Sequence, residues 1–286
     1  MKAVGLIGLG LIGGSMAKAI RQRTDCEIFG MDADEAVLSK AVSDGTVTAN
    51  LKEHFDEIDM LLVALYPTDV VNVIEDAAPH LKKGCIIVDC TGVKEIICTQ
   101  LSEKLSKMGL RFIGGHPMAG REVAGYANAD AGLYDGASMI LCVDEHTDAD
   151  ALSVADDFFR RLGFARVVHT TFKEHDRVIA YTSQLAHIVS SAYIKSETLQ
   201  KRYGFSAGSF KDMTRVAKLN EEMWADLFLA NEDAIVSEID SLIAHLQEYE
   251  EALKGRDRDE LVSLLRDGRM RKENDEAQEA RSTADE

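Results

Sequence analysis

The sequence has no run of eighteen apolar residues, no CxxC pair and no proline beyond Pro117. The first absence excludes an ordinary membrane-spanning helix. The apolar N-terminus, MKAVGLIGLGLIGGS, is rich in glycine and lacks a small-residue cleavage site, so it does not read as a secretion signal. The second absence bears on five cysteines, Cys26, Cys85, Cys90, Cys98 and Cys142. Their odd number, and the position of several in or beside apolar runs, read as buried thiols of a reducing, cytoplasmic compartment, with no metal site. The third means that nothing in the second half forces a helix to break. Basic residues are also scarce, 32 Lys and Arg against 49 Asp and Glu, for a formal charge of −17. Such a surface repels a phosphate backbone, so neither nucleic acid nor a membrane is an expected partner. An acidic small molecule would need a local group of cations.

The 286 residues, 46% of them hydrophobic, suffice for one large domain or two ordinary ones. From residue 2 to 168 two kinds of segment alternate. Short apolar stretches read as strands: KAVGLIG, CEIFGM, MLLVAL, CIIVDC, RFIGG, SMILCV and RVVHT. Between several of them lie helix-like stretches, GGSMAKAIRQ, DEAVLSKAVSDG, KEIICTQLSEKLSKMG and DADALSVADDFFRRLG. Near-continuous apolar strands alternating with helices predict an α/β domain, a mainly parallel sheet covered on both faces. After Thr171 the pattern is helical. HDRVIAYTSQLAHIVSSAYIKSE and MWADLFLANEDAIVSEIDSLIAHLQEYEEAL carry apolar stripes at three- and four-residue spacing. The expected boundary lies near residue 170, giving domains 1–170 and 171–286. In the charged end, ELVSLLRDG predicts one short helix and the remainder a solvated tail.

The first motif is GLGLIG, spanning Gly8, Leu9, Gly10, Leu11, Ile12 and Gly13. It follows a strand and opens a helix. Gly8 permits the tight turn, Gly10 lets a pyrophosphate approach the backbone, and Gly13 lets the helix lie close to the strand. The helix N-terminus would face the phosphates. The motif alone is a weak signal. Here Asp32 closes the next strand, a little over twenty residues on. A carboxylate there accepts hydrogen bonds from ribose hydroxyls and repels a 2′-phosphate, and GMDADE offers no arginine to bind one. The pattern predicts a Rossmann-like domain that binds NAD rather than NADP.

A nicotinamide enzyme that oxidises an alcohol needs a base for the hydroxyl proton. His116, in FIGGHPMAGRE, stands where an apolar strand gives way to Gly-Gly-His-Pro. Ligands of open parallel sheets bind at strand carboxyl ends, and histidine titrates near neutral pH. A satisfied structural histidine is the alternative. Lys211 and Arg215, in SFKDMTRVA, are four apart and share a face if the segment is helical. Two cations on one turn suit a substrate with more than one carboxylate, though they also fit a solvated face. His175 and His187 share the preceding apolar helix, either lining a pocket or bordering the core.

In order along the chain, the glycine loop to Ser15, DCTGVK at 89–94, GHPMAGRE at 115–122, HDRVIAYTSQLAH at 175–187, FKDMTRVA at 210–217 and MWADLF at 223–228 resemble the prephenate and arogenate dehydrogenases of tyrosine biosynthesis. The resemblance implies that His116 is the catalytic base toward the substrate's ring hydroxyl. It implies that Arg215 and Lys211 hold substrate carboxylate, with His187, Gln184 and Glu122 on the substrate side; Thr91, one residue before Gly92, is read as the hydroxyl on the cofactor side in place of the family's serine. It also implies an all-helical second domain that forms a homodimer, with Trp224 near the shared region.

Two positions depart from the family pattern. Gly92 stands where a serine usually orients the histidine, and Gln184 stands where a first histidine is usual. Gln184 hydrogen-bonds but carries no charge. Two other readings compete: a 3-hydroxyacid or imine dehydrogenase of similar build, for which Lys195 would be the residue to consider, and an NAD-binding protein without turnover.

Overall fold

A computed structural model describes residues 1–121 and 123–284. The chain opens with strand β1 (Ala3–Ile7), helix α1 (Leu11–Arg23), β2 (Glu27–Met31), α2 (Glu35–Ser43), a two-residue β3 (Ala49–Asn50) and β4 (Met60–Val63). It continues through α3 (Pro67–Ala77), β5 (Ile86–Asp89), α4 (Glu95–Lys107), β6 (Arg111–Met118), β7 (Ser138–Cys142), α5 (Ala149–Arg161) and β8 (Arg166–Thr170). Six helices follow: α6 (Phe172–Ile179), α7 (Ala186–Tyr193), α8 (Gly208–Thr214), α9 (Glu221–Leu229), α10 (Glu232–Gly255) and α11 (Arg258–Ala284). A mostly parallel, Rossmann-like sheet is therefore followed by helices, as the periodicity predicts.

The eight strands run in the order β3-β2-β1-β4-β5-β6-β7-β8, and every pairing is parallel except β6 with β7. The strands β1, β4 and β5 are buried along their whole length because both faces are covered. One face packs Met16, Ala17 and Ile20 of α1 and Ala155, Phe158 and Phe159 of α5. The other packs Val70 and Ile74 of α3 and Ile97, Leu101 and Leu105 of α4. At about 25 cal/mol per Å² of apolar area removed from water, these two layers are the main source of the domain's stability.

All seven expected strands are present. β3 and α3 were not expected. β3 is too short to show a pattern. The sequence of α3, PTDVVNVIEDA, opens with proline at its first position, where a missing N–H costs nothing, and buries only Val70, Ile74 and Ala77.

The antiparallel pair decides where His116 sits. β6 pairs with β5 only as far as Gly114, opposite Asp89. It then continues to Met118 against β7, with His116 opposite Ile140. His116 thus lies inside a strand that overruns the carboxyl edge of the parallel sheet, not in irregular structure beyond it. Pro117 is tolerated because β6 has no partner on the β5 side there.

The helical half is more broken than the stripes imply. Ala180–Leu185 forms a π-helical turn between α6 and α7, so His175 and His187 do not share one regular helix. The long second stripe is two helices, α9 and α10, separated at Ala230–Asn231 without any proline. The charged end is a 27-residue helix, α11, rather than a short helix and a solvated tail.

Two compact units are present, Met1–Glu232 and Asp233–Glu286. In the first, helices α6 to α9 belong with the sheet. In the second, α10 exposes Val236, Ile243, Leu246 and Leu253, spaced seven, three and seven apart. No helix among the described residues is long and apolar enough to cross a membrane.

Candidate active site

The glycine loop joins β1 to α1. Gly8 has φ +87°, a conformation in which a side chain is strained, and its N–H donates to Met31 O at 2.9 Å. A Cβ on Gly13 would lie 1.8 Å from Gly8 O, so α1 reaches its place only with glycine there. Above Gly10 nothing lies within 4 Å. Gly10 caps α1 with no side-chain acceptor. The first amides of the helix, at Leu11, Ile12 and Gly13, are therefore the natural partners of an anion. Asp32 closes β2, and its Oδ2 accepts from Leu9 N at 2.7 Å while Oδ1 accepts from Asp34 N at 2.9 Å. It holds the loop in shape and stays partly exposed beside it. An open backbone cradle, uncapped helix amides and an adjoining carboxylate fit a dinucleotide.

His116 projects from the overrunning end of β6. Its Nδ1 lies 2.9 Å from Nε2 of His175, the two rings 5.1 Å apart and inclined by 58°. His175 Nδ1 in turn lies 2.7 Å from Asp176 Oδ1. Asp176 Oδ1 also accepts from Lys94 N and Oδ2 from Glu95 N, both at 2.8 Å, so this carboxylate caps α4. Burial holds the His116 pKa well below the ordinary histidine value, and the neighbouring His175 and Lys94 act in the same direction. The His116 ring is consequently neutral at physiological pH, the state a base requires.

Beneath it lies an ion pair with no exposed surface. Lys94 Nζ donates to Asp89 Oδ1 at 2.5 Å, to Thr91 Oγ1 at 3.0 Å and to Gly115 O at 2.7 Å. Asp89 Oδ2 is buried without a hydrogen-bond partner among the described residues. The Thr91 hydroxyl, 2.6 Å from Asp89 Oδ1, is turned into this cluster. At Gly92 a Cβ would lie 3.8 Å from His116 Nε2 and 3.4 Å from Leu227 Cδ2. The nitrogen of His116 that is not bonded to His175 therefore faces Gly92 and α9.

One side of α9 links this place to α7. Leu227 approaches Gly92, while the Trp224 ring packs against His187 with centroids 4.0 Å apart and planes inclined by 31°. His187 Nδ1 donates to Ser183 O at 2.8 Å, which leaves Nε2 as an acceptor in the neutral ring. Gln184 is buried in the π-helical turn. Its Oε1 accepts from Asn231 Nδ2 at 2.6 Å, and its Nε2 donates to Leu227 O at 3.4 Å. Asn231 Nδ2 also donates to Asp176 O at 2.9 Å. Lys211 is exposed on α8, and Arg215 is exposed in the turn after it. Helix and turn both pack against α7, the helix that bears His187. Glu122 lies outside the described residues.

Sequence reasoning missed Asp176, Lys94, Asp89 and Asn231. The one local signal was adjacent His and Asp on the core side of an amphipathic helix start, where an unpaired acid would be costly.

Residues 16–169 match the family model described as prephenate dehydrogenase, nucleotide-binding domain, and residues 171–267 match prephenate dehydrogenase, dimerization domain. The cyclohexadienyl dehydrogenase of Zymomonas mobilis is 32% identical over 93% of this chain and 93% of its own length. The prephenate dehydrogenase of Lactococcus lactis is 28% identical over 94% of this chain and 76% of its own. Among solved structures, prephenate dehydrogenase from Aquifex aeolicus, in complex with hydroxyphenyl propionate and NAD+, superposes with a TM-score of 0.84 at 27% identity, covering 96% of this chain and 98% of that one. Two matched models in the expected order, spanning most of the sequence, show that this chain belongs to the prephenate dehydrogenase family.

Proposed function

We propose that the chain is an NAD-dependent prephenate dehydrogenase, converting prephenate to 4-hydroxyphenylpyruvate and carbon dioxide. The observation that carries this reading is His116, joined to His175 through Nδ1, with Nε2 facing the Gly92 side. Gly8 to Gly13 would hold the dinucleotide, the first amides of α1 its pyrophosphate and Asp32 its ribose. Bound there, NAD supplies the hydride acceptor. His116 Nε2 takes the proton of the substrate's ring hydroxyl as that carbon becomes a carbonyl. The electron pair left when the carboxylate on the opposite ring carbon departs as carbon dioxide flows through the ring to the carbonyl oxygen, which takes the proton back as a phenol as the ring becomes aromatic. Arg215 and Lys211 hold the carboxylates, and His187 lies on the substrate side; Glu122 and Gln184 are assigned there by the family resemblance alone, and the Gln184 amide is bonded to Asn231 and Leu227.

The reading extends to assembly and location. The apolar stripe on α10 is placed here at the interface of a homodimer, on its spacing and on its position within the matched dimerization domain. Light scattering reads a mass twice that of the chain if this is so. A cytoplasmic location rests on five buried cysteines, none of them bridged.

Absorbance at the NADH band, with prephenate and arogenate each offered with NAD and NADP, tests the function. Reduction with prephenate and NAD is the expected result. Activity with arogenate alone keeps the chemistry and moves the specificity. Folded protein that binds NAD and turns over neither overturns the reading.

A further inference from the structure

We propose that Asp176 and His175 are positioning residues that fix which nitrogen of His116 carries its proton. The inference rests on His116 being the base, as above. A carboxylate that already accepts two backbone N–H bonds is an acceptor toward its third partner as well, so His175 Nδ1 donates to Asp176. In neutral His175 the other nitrogen, Nε2, is then an acceptor. Among the described residues, the group within reach to donate to it is His116 Nδ1. The proton of neutral His116 is thereby held on Nδ1, and its lone pair is left on Nε2, the nitrogen that faces Gly92. Three residues on two elements settle the tautomer in a fixed order: acid, first ring, second ring.

The arrangement also bears on the moment of reaction. When His116 accepts the hydroxyl proton at Nε2, the cation that forms donates through Nδ1 to His175, and His175 donates to Asp176. No heavy atom moves, and the new charge is opposed by a carboxylate two hydrogen bonds away. His175 and Asp176 have almost no exposed surface, so the proton does not leave through them. Asp176 is itself held from two sides, by the α4 amides and, through its backbone carbonyl, by Asn231. The charged and titratable groups gathered around His116 are His175, Asp176, Lys94 and Asp89; Lys94 is already satisfied by Asp89, Thr91 and Gly115 and does not reach the imidazole chain.

Two variants and one spectrum test this. His175→Phe keeps a flat ring but removes the acceptor, whereas His175→Gln offers a carbonyl oxygen that accepts from His116 Nδ1. The expected result is a fall in kcat of about a hundredfold in H175F, with KM and the NADH dissociation constant within about threefold, and recovery of at least tenfold of that loss in H175Q. Histidine-labelled nitrogen NMR on the full chain at pH 8 reads the tautomer directly, whether or not the protein turns over. His116 should show its proton on Nδ1 in the wild type and in H175Q, and a mixture in H175F. Turnover of H175F within threefold of wild type overturns the proposal. So does parallel loss of NADH affinity, thermal stability and kcat in both variants, which marks His175 as packing. A wild-type spectrum with the His116 proton on Nε2 overturns it independently of any assay. Silence of the wild type in the assay, with the expected spectrum, overturns the functional reading and leaves the tautomer assignment standing.

Discussion

Lys94 Nζ donates to the backbone carbonyl of Gly115 at 2.7 Å, one residue before His116, while neutralising Asp89. The strand that carries the base is thus tied from below to the strand beside it by a cation with no access to water. Removing one partner of a buried pair leaves an uncompensated charge, at a typical cost of about 3–5 kcal/mol. K94M should therefore lower the melting temperature by several degrees. The double variant K94M/D89N should recover much of the loss, because both charges go. Equal melting temperatures for K94M and wild type, by scanning calorimetry, would contradict this.

The lowered pKa of His116 sets the acid side of the pH profile. The expected acid limb of kcat/KM lies below the usual histidine value of about 6.5. H116A should abolish the limb and reduce kcat by about 10²–10⁴-fold, with NAD affinity little changed. The sign for stability follows from linkage. A basic group whose folded pKa is depressed binds fewer protons folded than unfolded. Its contribution is present above about pH 6.5 and is lost as the pH falls below that value toward the folded pKa. Urea titrations at several pH values, wild type against H116A, isolate this contribution.

At Gly92 the added Cβ of a larger residue meets only ordinary contacts, 3.4 Å to Leu227 Cδ2 and 3.8 Å to His116 Nε2. G92S should fold with an unchanged melting temperature and bring a hydroxyl beside the reactive nitrogen, raising kcat by up to about tenfold. G92V places a second methyl in the same space and should lower kcat without lowering NAD affinity. Steady-state kinetics of the pair distinguishes the two effects.

Asp32 does two things, and its variants should separate them. D32S removes the charge that repels a 2′-phosphate, so the preference for NAD over NADP should narrow by about tenfold or more. It also loosens the bond to Leu9 N, so affinity for NAD itself should weaken. D32N keeps an acceptor for Leu9 and should lose less NAD affinity than D32S. Dissociation constants for both nucleotides check this.

The sequence by itself determined what depends on neighbours in the chain. Strand and helix alternate with periods that a few residues reveal. Gly8 to Gly13 form a turn whose geometry is local, Asp32 follows one strand later, and His116 stands where an apolar run gives way to Gly-Gly-His-Pro. What it left open depends on residues far apart. The break between α9 and α10 has no proline to mark it; Asn231 there turns its side chain to Gln184 and Asp176, 47 and 55 residues away. β6 overruns its parallel neighbour because β7 pairs with it antiparallel, and nothing in FIGGHPM announces that partner. The tautomer of His116 is decided by His175, 59 residues on, and by the acid next to it. Hydrophobic periodicity states that a residue is buried. Only the packed fold states which buried polar atom meets which other, and in a low-dielectric interior that pairing sets where protons reside.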